Sequence, residues 1–547
     1  MTRKITIIIL LFSTKILFAQ CPTGNITLST QNQVNSFAIN YPNCTTLNYN
    51  LTISGSTITN LNGLSNITST TKQLDIQNCP NLIDVSGLNN LISATGTMFR
   101  FLNNPLLTNL PQFNSLVSVN SLVILNSNFS VVNSFNNLTN LNSLFISNCP
   151  NLTTIGSFPM LVTNLNNLYL NNLPNLNSIT FLSSLQHINR ISIINCTSAS
   201  NFLNQLNDNN LIVNLDYLYL SDNTFNNLQS LENLQSVNQF ELINCTSFAD
   251  FSDLENINSI GDLLVDNCPN LINFNGLENI NQFGLEVKNC NALANLNGLN
   301  NIAILGKLIL LNNQTLNDLS SLSNLTAIGG EFKITNNSSL PSLQGLNSLT
   351  TIGPVLEISN NTSLSSIASL SNLTTTSSIE QLEMDNLYFG VTNNSNLPSL
   401  SGLDNIELDN ANNYFNLNIF NNPNLSFASV NSICSYLSLG KASTVNSNSA
   451  GCNNVSEILS ICQNLSVSDE SIHNDVLIYP NPTNNHLYIS IDGLNKFEIT
   501  LLDNLGRKMS YTQFNQNEIG IENLPIGIYI IEVIMGEKKV YKKIVKN

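Results

Sequence analysis

Eleven cysteines and three histidines are the residues of this 547-residue chain best suited to nucleophilic, redox or metal chemistry. Their placement points to structure instead. Cys79, Cys149, Cys196, Cys245, Cys268 and Cys290 each follow directly on an Asn that closes a short alternating motif. No His or acidic cluster accompanies them, as a zinc site would require. His187 lies among these motifs, while His473 and His486 fall near the C-terminal end. The chain contains no His-Glu-x-x-His pair, no Gly-x-Ser-x-Gly elbow and no phosphate-binding loop. Its acidic residues are scattered, and the Asp-x-Asp pattern of calcium-binding repeats is absent. The expectation is a protein that is not an enzyme and needs neither a metal nor another cofactor.

The position shared by the six cysteines is taken elsewhere by Asn104, Asn223, Asn313, Asn337, Asn361 and Asn422. A small polar side chain pointing inward can satisfy backbone groups in a turn, which either residue type provides. The reading is a structural ladder that includes the six cysteines with Asn313, Asn337 and Asn361. A disulfide between neighbouring coils, such as Cys268 with Cys290, would require the side chains to turn away from the interior.

The elements that set this spacing form an internal repeat, L-x-[IVL]-x-N-[NC]-x-x-L followed by L-x-x-L-x-x-[IV]-G. It is clearest at Leu285–Cys290, Leu308–Asn313, Phe332–Asn337 and Leu356–Asn361. Its marker Asn runs Asn289, Asn312, Asn336, Asn360, in steps of 23, 24 and 24. Upstream it passes Asn78, Asn103, Asn126, Asn148, Asn172, Asn195, Asp222, Asn244 and Asn267. Downstream it is assigned to Asn386 and, after a longer insertion, Asn421. With Gly55 in the first coil, about 16 coils are expected, at the low-twenties period of leucine-rich solenoids. The alternation in L-x-[IVL] predicts a short strand with one buried face. One coil cannot close a core, but a stack can. Parallel strands roughly 4.8 Å apart would give an array on the order of 75 Å long.

An open solenoid end exposes core and strand edge, so caps are needed. Cys21 and Cys44 bracket the segment before the first coil and are expected to bridge. Cys434, Cys452 and Cys462 follow the last coil, with a short helix predicted over Asn453–Ile461; one pair among the three should lock that end. Segment Val34-Asn35-Ser36-Phe37, then Tyr41-Pro42-Asn43-Cys44 and Leu51-Thr52-Ile53-Ser54-Gly55, resembles the entry to bacterial receptor L-domain-like leucine-rich proteins. The resemblance covers about residues 21–462. It implies a mainly β, right-handed solenoid associated with surface binding and adhesion.

Composition and the chain ends speak to location. Only 10% of residues are charged, 42% are hydrophobic, and the formal net charge is −16. That balance argues against nucleic acid, whose phosphates need a basic footprint. Arg3 and Lys4, the apolar run Ile5–Phe12 and the small Ala19 read as a signal peptide over residues 1–19. No later run is long and apolar enough to span a membrane as a helix.

After Cys462 the character changes. Residues 464–475 read as a polar linker, and eight of the 18 Lys and Arg follow position 490. Strand-like runs at Leu487–Ile491, Phe497–Asp503, Gly527–Ile534 and Lys539–Val545 predict a small β-sandwich. Its motifs are Tyr479-Pro480-Asn481-Pro482-Thr483, Leu502–Arg507 with Gly506, Leu524-Pro525-Ile526-Gly527-Ile528-Tyr529, and Lys542-Lys543-Ile544-Val545. Together these resemble the type A C-terminal sorting domain of type IX secretion in Bacteroidetes. The resemblance implies the type IX secretion machinery as a partner and export to the cell surface. The expected organisation is a signal peptide 1–19, N-terminal cap 20–54, solenoid 55–430, C-terminal cap 431–463, linker 464–475 and sorting domain 476–547.

With chemistry set aside, the surface carries the functional expectation. The outward positions of the strands include Leu102, Val123, Leu125, Phe145, Tyr169, Ile194, Tyr219 and Ile243 in the first half. Later they include Asp266, Glu286, Lys288, Lys333, Glu357, Glu383 and Asp385. One face should therefore pass from apolar and aromatic to charged. Apolar, aromatic patches mark interaction sites, and a site centred on Phe145, Tyr169 and Tyr219, with Leu125 and Ile194, is expected. The leading expectation is an adhesin or recognition protein for an extracellular glycan, protein or surface. The alternatives are a structural surface spacer without a specific ligand and, third, an orphan hydrolase.

Overall fold

The computed structural model describes residues 20–465 and 476–546, apart from short stretches at 157, 162–163, 181–184, 186, 199–200, 202, 206–211, 377–387, 409–415, 492–496, 504–505 and 536–537. The proposed signal peptide, His473 and most of the proposed linker lie outside the described residues. So do Glu383, Asp385 and Asn386. The chain divides into two units, residues 1–462 and 463–547.

The first unit is a β-solenoid. Among the described residues, seventeen successive parallel pairings carry one sheet from Ile26–Leu28 to Ser443–Asn446. The Leu and Ile of each L-x-[IVL] motif point inward and stack on those of the next coil, giving one continuous core from Leu28 to Ile458. The second apolar segment of the coil turns the corner, in several coils as a short 3-10 helix, as at Ser86–Leu88 and Ser320–Leu322, and in others as a turn. Glycines in this segment have a steric cause. At Gly345, φ is +110° and a Cβ would stand 2.0 Å from the Leu319 carbonyl oxygen of the preceding coil. Only a residue without a side chain lets the corners nest that closely.

The marker residues explain the repeat. Asn78, Asn103, Asn126 and their successors through Asn421 hold φ between +48° and +60°. Asn tolerates this left-handed conformation better than other side-chain-bearing residues. It also joins its own amide to the coil before, as in Asn103 Nδ2 to Asn78 Oδ1 (2.8 Å) and Asn126 Nδ2 to Asn103 Oδ1 (2.8 Å). In one coil the marker is Asn393 rather than Asn386. The strand there is Tyr388–Thr392, which pairs in register with Val355–Ser359 and Asn416–Phe420. Residues 382–386 spell the motif, but the pairing goes to the segment whose Asn393-Asn394 doublet fills both turn positions. The inserted length therefore precedes this strand as well as following it.

Both ends are closed by helices. Gln31–Asn40 carries a capping box at Thr30 and Gln33 and seats Val34 and Phe37 in the core. Cys21 is bonded to Cys44, and Cys434 to Cys462. Cys452 is the remaining buried thiol of the C-terminal cap. That cap comprises Asn431–Ser438, which the sequence reading did not predict, and Val455–Leu465. No helix among the described residues is long and apolar enough to cross a membrane.

The second unit consists of two antiparallel sheets. Val476–Tyr479, His486–Ile491, Thr512–Asn515 and Glu518–Gly520 form one, and Glu498–Asp503, Gly527–Met535 and Lys538–Lys546 the other. They share a core that includes Leu487, Ile489, Leu501, Ile531 and Ile544.

Candidate functional site

The interior ladder has fixed bonding. Asn313, Asn337, Asn361, Asn394, Asn422 and Asn448 follow one another in adjacent coils. Asn337 Nδ2 donates to the Leu310 carbonyl (2.9 Å), and its Oδ1 accepts from Asn313 N (3.0 Å). Asn361 and Asn394 repeat the arrangement on Ile334 and Ile358. A ladder cysteine can only donate weakly, as Cys79 Sγ does to the Gln77 carbonyl at 3.3 Å. Cys79, Cys149, Cys196, Cys245, Cys268 and Cys290 are all buried, and none forms a disulfide. Burial pushes the thiols of Cys149 and Cys196 up to about 11. They are protonated and inert near neutral pH, since only the thiolate is nucleophilic. Among the described residues, no cluster of three or more His, Cys, Asp or Glu could hold a metal ion.

The outer face of the sheet is where neighbouring coils present different chemistry. Strand register aligns Val123, Phe145, Tyr169, Ser192, Tyr219 and Glu241 in one row. A parallel row runs Asn167, Arg190, Tyr217 and Gln239. A third runs Leu125, Ser147, Asn171, Ile194 and Ser221, so two polar coils separate Leu125 from Ile194. Val123 is 8% exposed, and Leu102, Leu125, Phe145, Tyr169, Ile194, Tyr219 and Ile243 are half-buried. The face is therefore not one broad exposed apolar patch, because its rings cover one another. Phe145 packs on Tyr169 with centroids 5.7 Å apart, and Tyr217 stacks on Tyr219 at 6.1 Å with an interplanar angle of 7°.

Ser192 breaks the row of rings. Tyr169 and Tyr219 are two strands apart, about 9–10 Å, with only a hydroxymethyl group between them. The result is an open depression of about 280 Å³ lined by Phe145, Tyr169, Arg190, Ser192, Ile194, Tyr217 and Tyr219, among others. Asn171 Nδ2 donates to the Tyr169 hydroxyl (3.1 Å), and Asn167 Nδ2 to Ser143 Oγ (2.9 Å). The Arg190 guanidinium carbon lies 5.7 Å from the centre of the Tyr217 ring. Burial, and then the neighbouring Glu241 carboxylate, push the Tyr217 phenol up to about 12, so the ring stays neutral. Phe145, Tyr169, Ile194 and Tyr219 are brought together here, and Leu125 is not. The sequence reading missed Arg190, Ser192 and Tyr217. Arg190 and Tyr217 sit two residues before an outward position and so share its face, a period-two signal that extends beyond the L-x-[IVL] motif.

Farther along, the face carries charge. Glu286 pairs with Lys288 and, at 3.2 Å, with Lys307, while Lys333 pairs with Glu331. Leu264 and Ile309 stand in the same row between charged coils.

In the second unit the terminal motif residues meet around the last strands. Asn481 Nδ2 donates to the Lys543 carbonyl (2.9 Å), and Val545 N donates to Asn481 Oδ1 (2.8 Å). Thr483 N donates to the Val545 carbonyl (2.9 Å), while Tyr479 pairs with Tyr488 on the neighbouring strand. Gly506 supplies φ +75° in the turn that Arg507 closes on Asp503 (Nε to Oδ2, 2.7 Å). Tyr529 Oη donates to the Pro525 carbonyl (2.8 Å), fixing the turn through Gly527. Lys546, nearly buried, donates Nζ to the Ile521 and Glu522 carbonyls (2.7 and 2.9 Å).

Residues 477–547 match the secretion system C-terminal sorting domain. No curated protein matches the chain. This sorting domain, of the type IX system, marks proteins that are secreted and attached to the cell surface, and the chain carries it behind a β-solenoid.

Proposed function

We propose that the solenoid is a recognition module displayed at the cell surface, binding an extracellular ligand through the aromatic part of its sheet face rather than catalysing a reaction. The observation that carries this reading is the depression between Tyr169 and Tyr219, where stacked rings are interrupted by Ser192. Aromatic rings with adjacent polar groups are the composition of binding hot spots. We take the repeat for a leucine-rich, receptor L-domain-like array in a Bacteroidetes protein, consistent with its period and its Asn/Cys turn position. The second reading, a spacer without a ligand, draws on the half-burial of these rings against one another.

The test replaces Phe145, Tyr169 and Tyr219 with Ser in the exported protein. Binding is scored on a glycan array and by pulldown of extracellular proteins. Loss of binding with an unchanged melting temperature supports the site. Wild-type binding that survives the triple substitution rejects it, and absence of any wild-type ligand favours the spacer.

A further inference from the structure

The slot has features that narrow its ligand. Each wall ring has an aromatic neighbour, Tyr169 the Phe145 ring of the preceding strand and Tyr219 the Tyr217 ring of its own strand. Ordering costs on binding are therefore small, since the rings are already held. The gap of about 9–10 Å between wall strands leaves room for one ring between the two side chains. At about 280 Å³ the depression suits one or two small rings and lies at the low end of ligand sites. Its polar lining is hydroxyl, amide and guanidinium, from Ser192, Asn167 and Arg190, beside the apolar Leu168, Ile191 and Ile194. That mixture fits a pyranose, which presents an apolar C–H face to an aromatic ring and hydroxyls at its rim.

Arg190 adds the charge. The other cations described on strands of this face hold carboxylates: Arg100 holds Asp75 at 2.9 Å, and Lys288, Lys307 and Lys333 pair with glutamates. Among the described residues Arg190 has no such partner and lies over the Tyr217 ring instead. A planar guanidinium held on a ring presents its donors as a fork suited to a carboxylate. The chain's net charge of −16 and the nearby Glu241 would repel a polyanion. A single acidic sugar in an otherwise neutral chain meets much less of this repulsion, and its one carboxylate can be matched by Arg190.

We propose that the Tyr169–Ser192–Tyr219 slot takes one pyranose ring of an acidic glycan, stacked between the two tyrosines with its carboxylate on Arg190. This rests on the recognition reading and specifies the ligand class for the same face.

The experiment measures binding of the purified exported protein to matched oligosaccharides, glucuronate- or sialate-bearing against their neutral counterparts. Wild type should bind the acidic member of a pair roughly tenfold or more tightly, a typical effect of one charge-assisted contact. Arg190→Gln should abolish that preference while leaving weak binding to the neutral member. Ser192→Phe should fill the slot and remove binding to both, with the melting temperature unchanged. Equal binding of acidic and neutral sugars by wild type, or full binding by Ser192→Phe, overturns the proposal. If no glycan binds but a protein ligand is lost on the triple Ser substitution, the sugar assignment fails and the recognition reading stands.

Discussion

At the scale of single residues, the cysteines show how position decides chemistry. The same residue type forms two disulfides at the caps and seven buried free thiols. Iodoacetamide should label none of the seven in the native protein near neutral pH and all seven in denaturant, read by mass spectrometry. Labelling of Cys149 or Cys196 without unfolding would contradict the structure. The raised thiol values also set an alkaline limit. Unfolded thiols ionise from about pH 8.5, whereas the folded Cys149 and Cys196 keep their protons up to about 11. Their contribution to stability is complete below the lower value and is lost as pH rises towards the higher. Asn337 is the matching test of the amide ladder. Replacing it with Ala leaves the Asn313 N–H and the Leu310 carbonyl without their side-chain partner. The cost should be about 2–4 kcal/mol in denaturant unfolding. Asn337→Cys, which copies earlier coils of the array, should cost less than Asn337→Ala because a thiol fills the space and still donates weakly.

At the scale of elements, each coil depends on its neighbours and the caps hold the two ends. The Cys434–Cys462 bridge spans 28 residues and ties the two C-terminal helices together. Removing it with paired Ser substitutions should cost about 3–4 kcal/mol by loop entropy. In a quasi-one-dimensional array the loss should be local. Hydrogen exchange should accelerate in Ser443–Asn446 and Asn416–Phe420 and stay slow in Ile304–Leu311. Uniform acceleration along the array would show a more cooperative unit than nearest-neighbour stacking allows. The coil at Tyr388–Thr392 shows where element reading from sequence fails. Residues 382–386 spell the motif, yet the strand forms later. The motif marks a candidate strand, and pairing with both neighbouring coils selects it.

At the scale of the whole molecule, two units divide the work, with the solenoid as the displayed part and the terminal unit as the sorting signal. Deleting residues 463–547 should remove the protein from the cell surface, measured by surface immunolabelling against total protein. Undiminished display would show that another signal suffices. The sequence by itself determined the solenoid, its period, its inward ladder and the terminal module. These follow from local rules: alternation chooses the buried face, and an Asn at each turn supplies both the left-handed residue and the amide. It also carried Phe145, Tyr169 and Tyr219 as outward residues. Only the tertiary structure decided what those rings do. Strand register places residues 23–27 positions apart side by side, so it alone reveals that Ser192 parts Tyr169 from Tyr219 and that Arg190 lies over Tyr217. A groove between coils depends on which side chains become neighbours, and that is fixed by how coils of unequal length stack, not by any one coil's sequence.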